Sequence, residues 1–261
     1  MTVRYAVVGS PVAHSLSPAI QQAAFDHVGV DARYEALEVD AAGLDEVFRK
    51  LREGQLAGAN VTMPFKHRAY QEADVVEGDA RRAESVNTLV PAQGSIRGIS
   101  TDIPAIRRVW EERELPVGSV LILGGGGAAA AALVALKGNE IFLATRTNTA
   151  AQSLLERLQI EGEVVPWAGP VPGAVIVNAT PMGMRGETLP AGILSQSSGL
   201  FDMAYGSLPT PSIVAARGLG LPTAEGLDML VEQAALSFEA WTEHSAPRKE
   251  MRAAAQIAQG W

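Results

Sequence analysis

Polar side chains gather where the apolar segments of this chain stop. Asn60-Val-Thr62-Met-Pro-Phe-Lys66 sets an amide, a hydroxyl and an ammonium in succession after one short apolar run. Ser15 and Ser17 fall within Gly9-Ser-Pro-Val-Ala-His-Ser-Leu-Ser-Pro18, and Asn87-Thr88 and Thr101-Asp102 close two further apolar stretches. Open α/β sheets place ligand groups at such strand ends, so the set reads as a binding surface. Taken singly, each residue has a plainer reading. The serines could cap a helix, Ser17 above all, and a lone Lys66 could be solvated.

A second kind of chemistry lies in residues 115–136, the one long stretch without a charged side chain. Val120-Leu121-Ile122-Leu123 suits a strand buried on both faces, and Ala128 to Leu136 favours a helix. Between them Gly124, Gly126 and Ala129 match G-x-G-x-x-G/A, a turn whose free helix N–H groups cradle a phosphate. The alternatives are a membrane helix, disfavoured by four consecutive glycines near Pro116, and a merely structural turn. About twenty residues on, an NAD site would carry Asp or Glu. Here the window reads Ala144-Thr145-Arg146-Thr147, and a guanidinium suits the 2′-phosphate of NADP. The plainer reading of Arg146 is a surface residue at a strand end.

These residues need elements to hold them. Val3 to Val8 predicts a strand ending at Gly9, followed by a helix with Ser17 at its N-cap, Pro18 in its first turn and Gly29 at its end. Tyr34 to Val39 and Ala59 to Thr62 predict strands. Leu44, Val47, Phe48 and Leu51 mark the buried face of the helix between them, and Lys66 to Ala73 is helical. This alternation is that of an α/β layer. A boundary falls at Asp102 to Pro104. The glycine turn then opens a second βαβ unit, with strands at Ile141 to Ala144, Ala174 to Val177 and Leu200-Phe201. Leu227 to Trp241 and residues 247–258 predict closing helices.

Composition narrows the partners. The chain has 261 residues, 47% hydrophobic and 19% charged, with a net charge of −8. That balance argues against nucleic acid and anionic membranes as partners. There is no cysteine, so thiolate chemistry and disulfides are excluded. The four histidines are scattered without ligand spacing, so no metal is expected. The N-terminus lacks the apolar core of a signal peptide, and the simplest location is cytoplasmic.

In order along the chain stand G-S-P-V-x-H-S-x-S-P, N-V-T-x-P-x-K, V-N-T-L, T-D, G-G-G-G-A, T-R-T, N-A-T-P-M-G-M, D-M-x-Y and G-x-x-M-L-V-x-Q. From Tyr5 to Trp241 the chain resembles the shikimate dehydrogenase family. The resemblance implies NADPH-dependent reduction of 3-dehydroshikimate to shikimate, on the route to aromatic amino acids. It implies that Ser15 and Ser17 hold the substrate carboxylate and that Asn60, Thr62, Asn87 and Gln233 bind ring hydroxyls. Tyr205 matches a further substrate contact, and Lys66 and Asp102 match the catalytic pair. Gly124, Gly125, Gly126, Gly127 and Ala128 fall at cofactor positions, as do Thr145, Arg146 and Thr147, and then Thr180, Met203 and Gly226. T-R-T stands where the family usually has N-R-T, and Ala150 where a second arginine is frequent, which leaves one arginine for the 2′-phosphate.

The residue types suit that reaction. Hydride addition to a ketone creates an alkoxide, which a lysine ammonium can protonate while Asp102 orients it. The expected architecture is an N-terminal α/β substrate domain, residues 1–103 completed by 227–261, and a doubly wound Rossmann-type NADP domain, residues 104–226. Such a chain would work as a monomer or homodimer. A quinate/shikimate dehydrogenase with relaxed cofactor use, a methylenetetrahydrofolate dehydrogenase and a catalytically dead sensor are the competing readings. The serine pair and the amide set suit a small polyhydroxy acid better than a pterin.

Overall fold

The structure, a computed structural model, describes residues 2–206 and 209–260; Met1, Ser207, Leu208 and Trp261 lie outside the description. The chain divides into two compact units. Unit 1 is Met1–Asp102 with Leu230–Trp261, and unit 2 is Ile103–Met229. Along the chain come β1 (Val3–Gly9), α1 (Ser17–Val28), β2 (Ala32–Glu38), α2 (Ala41–Arg52), β3 (Gly58–Val61) and α3 (Lys66–Glu72). β4 (Val75–Val76), α4 (Gly78–Ala83), β5 (Thr88–Ala92), β6 (Ser95–Ile99) and α5 (Asp102–Glu112) follow. Next are β7 (Ser119–Leu123), α6 (Gly127–Ala135), β8 (Glu140–Ala144), α7 (Asn148–Leu158), β9 (Glu163–Val164) and β10 (Val175–Asn178). The chain closes with α8 (Ala191–Leu194), β11 (Gly199–Asp202), α9 (Pro211–Gly218), β12 (Thr223–Glu225), α10 (Gly226–Thr242) and α11 (Arg248–Ala258). Among the described residues no helix is long and apolar enough to cross a membrane.

Unit 1 is built on a mixed sheet in the order β2-β1-β3-β5-β6-β4. β1 pairs parallel with β2 on one side and β3 on the other, which is why Ala6-Val7-Val8 can be an unbroken buried run. α2 lays Leu44, Val47, Phe48 and Leu51 into the core beside it, each worth about 1.5–3 kcal/mol for burial of a large apolar side chain. Asp40 caps that helix by accepting from the Gly43 N–H at 2.8 Å.

Two local expectations are corrected. Leu16, not Ser17, holds the N-cap position of α1, because Pro18 fits the first turn with Ser17 already helical. Ser15 does the neighbouring work, its Oγ accepting from the Ser17 N–H at 3.2 Å. Asn87-Thr88 does not close a strand; it opens one. β5 and β6 form an antiparallel hairpin with Ala92 opposite Ser95, and Gln93 and Gly94 between them both have positive φ, +48° and +84°. That is the two-residue turn whose twist matches the flanking strands.

Unit 2 carries an all-parallel sheet in the order β12-β11-β10-β7-β8-β9. Counted from β7 as its first strand, this is the doubly wound order, with the reversal between β7 and β10. Leu121, Ile176 and Leu200 on the central strands pack with Ile193 and Ile213 from the helices.

Candidate functional site

Strand direction assembles the polar residues of unit 1. β1 and β3 run parallel, with Val8 opposite Val61, so the segments carrying Ser15 and Thr62 leave the same edge of the sheet. β5 runs against β3 with Thr88 opposite Asn60, and β6 runs against β5 with Ile99 opposite Thr88. The hairpin therefore returns Asn87 and Thr101 to the edge where β1 and β3 end. Four segments meet there because one strand, β5, runs against β1, β3 and β6.

Lys66, the first residue of α3, places its Nζ 2.7 Å from Asp102 Oδ2. The lysine side chain is 18% exposed and the aspartate side chain 7%, so the pair has a sheltered and an accessible end. The other carboxylate oxygen, Oδ1, accepts from Asn87 Nδ2 at 3.0 Å. The direction of the Asn87 amide is fixed independently. The backbone N–H of Thr101 donates to Oδ1 of Asn87 at 2.8 Å, which leaves the nitrogen facing Asp102. Asp102 is thus held from both sides, with its negative charge directed at one ammonium.

Asn60 sits one strand away, 6% exposed, with its amide fully engaged. Its oxygen accepts from the Tyr34 hydroxyl at 2.7 Å, and its nitrogen lies 3.1 Å from Asn87 O, 3.0 Å from Thr88 Oγ1 and 2.9 Å from Ser237 Oγ. Gln233, on α10, donates to Leu230 O at 2.8 Å, and its Oε1 lies 3.4 Å from Asn87 Nδ2. Thr62 is half-buried, its N–H bound to Val8 O at 2.9 Å. Its methyl group occupies the space beside Gly9, where an added Cβ would come within 2.3 Å of Thr62 Cγ2. Ser15 is half-buried and Ser17 buried at the start of α1. Tyr205 belongs to unit 2, whereas the other predicted substrate contacts belong to unit 1.

Two members of this network, Tyr34 and Ser237, carried no weight in the sequence reading. Ser237 had a usable signal: it lies four residues after Gln233, and so on the same face of α10.

In unit 2 the predicted cofactor positions follow the C-terminal ends of β7, β8, β10, β11 and β12. Gly124 follows β7 with φ +125°, and a Cβ there would lie 2.8 Å from the O of Ala179, the residue after β10. Only glycine allows the two strand ends so close at the sheet's reversal point. Gly125 and Gly126 are exposed, Gly127 and Ala128 half-buried, and Gly126 caps α6 with no side-chain hydrogen bond. The first N–H groups of α6 therefore face a surface without side chains, the fit a dinucleotide pyrophosphate requires.

The hydroxyls after β8 turn inward. Thr145 is buried and donates to Thr147 O at 2.6 Å, while Thr147 Oγ1 caps α7 through the Ala150 N–H. Arg146 between them is exposed. At the other strand ends, Thr180 donates to Asn178 Oδ1 at 2.6 Å, and Asn178 Nδ2 reaches Asp202 Oδ1 at 2.8 Å. Asp202 also accepts from the Ala204 N–H at 3.1 Å and the Thr210 hydroxyl at 2.5 Å. Burial nevertheless pushes its carboxyl above the ordinary carboxylate value, because these neutral donors do not replace full hydration. The Met203 N–H donates to Asn178 O at 3.0 Å, and a Cβ on Gly226 would come within 2.3 Å of Ala204 O. The two loops that carry Thr180 and Met203 are held by one buried Asn–Asp pair.

Known proteins resemble this chain in sequence and fold. Residues 7–89 match the shikimate dehydrogenase substrate binding domain, and residues 226–256 match the shikimate 5′-dehydrogenase C-terminal domain. The chain is 34% identical to the shikimate dehydrogenase (NADP(+)) of one strain of Thermus thermophilus over 246 residues, 92% of each chain. It is 35% identical to the enzyme of the same name from Archaeoglobus fulgidus, over 90% of this chain and 91% of that one. The crystal structure of shikimate 5-dehydrogenase from a second Thermus thermophilus strain, in complex with NADP(H) and shikimate, superposes with a TM-score of 0.88 at 32% identity. The match covers 98% of this chain and 99% of the other.

Proposed function

The chain belongs to the shikimate dehydrogenase family, and from that premise we propose that it reduces 3-dehydroshikimate reversibly to shikimate with NADPH, Lys66 and Asp102 forming the acid–base pair. The observation that carries the reading is the 2.7 Å contact of Lys66 Nζ with an aspartate whose second oxygen is already bound by Asn87. NADPH supplies a hydride to the ketone carbon. As negative charge develops on the carbonyl oxygen, the Lys66 ammonium donates a proton to it, so the substrate gains one hydride and one proton. Asp102 keeps Nζ in one place while this happens. In the oxidative direction the neutral Lys66 amine removes the hydroxyl proton.

In the same proposal Ser15 and Ser17 bind the substrate carboxylate. Thr62, Asn87 and Gln233 meet the ring hydroxyls, with Asn60 behind them and Tyr205 as a further contact. Unit 1 is the substrate domain and unit 2 the NADP domain. Gly124 to Ala128 hold the pyrophosphate, Arg146 the 2′-phosphate beside Thr145 and Thr147, and Thr180, Met203 and Gly226 the remainder of the cofactor. A cytoplasmic location and a monomeric or homodimeric state belong to the same reading.

The test is steady-state oxidation of shikimate and of quinate, each with NADP⁺ and with NAD⁺. Shikimate with NADP⁺ is expected to give the highest kcat/KM. Equal values with NAD⁺ would remove the role given to Arg146, and a preference for quinate would replace the substrate.

A further inference from the structure

A serine inside the buried part of α10 needs a reason. Ser237 is fully buried among Ala234, Ala235 and Phe238, where alanine would favour the helix more and bury no hydroxyl. The register that puts it there is fixed at both flanks. Phe238 packs against Phe25 with ring centroids 5.3 Å apart, and Trp241 Nε1 donates to Leu89 O at 3.0 Å. The Ser237 oxygen then lies 2.9 Å from Asn60 Nδ2, 2.9 Å from Thr88 Oγ1 and 3.2 Å from Thr101 Oγ1.

Counting protons gives this cluster a direction. Ser237 has one hydroxyl hydrogen and donates it to Gln233 O at 2.9 Å. It is therefore an acceptor toward its other neighbours. Thr101 Oγ1 accepts from Asn87 Nδ2 at 2.9 Å, and its own hydrogen has two acceptors within reach, Ser237 Oγ at 3.2 Å and Asn87 Oδ1 at 3.3 Å, of which Ser237 is the nearer. One line of bonds then runs from Asn87 to Thr101 to Ser237 to the Gln233 carbonyl, beside the shorter contacts that Asn60 and Thr88 make to the same Ser237 oxygen. The second hydrogen of the Asn87 nitrogen is the one on Asp102 Oδ1.

We propose that Ser237 is a positioning residue for the reaction: by accepting from Thr101 it keeps the Thr101 oxygen an acceptor for Asn87 Nδ2, the second anchor, beside the Thr101 backbone N–H, of the amide that aims Asp102 at Lys66. Without it, the Thr101 hydroxyl donates to Asn87 Oδ1, 3.3 Å away, its lone pair turns from Nδ2, and the amide keeps only its backbone anchor. Asp102 is then held by a looser partner, and Lys66 is aimed less narrowly. The inference rests on the acid–base reading above.

The test uses Ser237→Ala, Thr101→Val and the double variant in the full-length protein, with 3-dehydroshikimate and NADPH deuterated at the transferred position. In Ser237→Ala, kcat is expected to fall about tenfold with KM within about twofold, the scale of a small misplacement of a catalytic group. The primary isotope effect on kcat should rise, because the chemical step becomes slower. A variant that had merely lost folded protein would leave that ratio unchanged. The double variant should be no slower than Thr101→Val alone, since both act through one chain of bonds. An unchanged kcat in Ser237→Ala, an unchanged isotope effect, or losses that multiply in the double variant would each overturn the proposal. A parent enzyme that does not turn over this substrate overturns the acid–base reading as well. A parent that turns over beside an indifferent Ser237→Ala overturns only the role of Ser237.

Discussion

The polar edge of unit 1 and the glycine turn of unit 2 both occupy strand ends, and they treat hydrogen bonds in opposite ways. In unit 1 side chains are closed on one another: both amides of Asn60 and Asn87 are engaged, and Lys66 and Thr62 keep partly open faces. In unit 2 the hydroxyls of Thr145 and Thr147 fold back into their own turn, while exposed Gly125, Gly126 and Arg146 are left outward. A proton donor has to arrive in one direction, and a network that is already satisfied has nothing to rearrange as charge develops. A long anion asks for room and for N–H groups that nothing else has taken. Rigidity serves the first task and vacancy the second.

That contrast can be broken most sharply at Lys66. Lys66→Ala should lower kcat at least about a hundredfold with little change in KM, the usual scale for a general acid. Near-full turnover in steady-state assays would remove the lysine from the chemical step. The next test places one methyl group in each region. Gly124→Ala combines positive φ with contact to the Ala179 backbone, so neither can yield, and a loss of about 2–4 kcal/mol by urea unfolding is expected. Gly9→Ala instead meets the Thr62 methyl first and Met63 O at 3.0 Å, without a positive φ to add strain, and should cost about 1–2 kcal/mol while raising KM for shikimate. Similar unfolding losses would mean that the two sites yield equally.

Arg146→Ala should raise KM for NADPH about tenfold with kcat unchanged, by loss of a charge-assisted contact, and leave NADH kinetics as they were. An equal loss with NADH would detach Arg146 from the 2′-phosphate. The smallest effects concern two aspartates of opposite habit. The Ile96 N–H, and after it the Arg52 guanidinium, hold Asp74 below the ordinary value of 3.8, so its contribution to stability is present above that pH and is lost on further acidification. Asp202 is raised by burial, so its contribution is complete below 3.8 and declines as pH rises through its folded value. Urea midpoints measured from about pH 2.5 to 7 should show Asp74→Asn flattening the acid limb and Asp202→Asn flattening the decline above it. Identical slopes in both variants and the parent would refute the assignment.

Much of the fold was legible because periodicity reports burial directly. Leu44, Val47, Phe48 and Leu51 marked α2, and Val120 to Leu123 before four glycines marked the start of a doubly wound sheet. The β5–β6 hairpin was not legible. Gln93-Gly94 is a weaker turn signal than Asn-Gly, and Pro91 within β5 reads as a residue that strands avoid. Its polar ends were visible, but the direction of the strand that joins them to the site was not. Ser237 was hidden for another reason, since its partners Asn60, Thr88 and Thr101 lie 177, 149 and 136 residues away. Nor does a threonine beside an arginine announce that its hydroxyl faces the turn; that depends on a rotamer and a neighbouring carbonyl.

Unit 1 is discontinuous, with residues 103–229 standing between its two parts. Translation therefore imposes an order on the molecule. Unit 2 is a single stretch of chain and can close as soon as it is made, whereas the sheet of unit 1, emerging first, must wait for α10 before Asn60, Thr88 and Thr101 meet Ser237. Until then those buried donors and acceptors are left to water. The segment that completes the hydrogen-bond chain to Asp102 leaves the ribosome only after the whole of unit 2, so the corner that holds Lys66 and Asp102 is assembled after the all-parallel sheet can close.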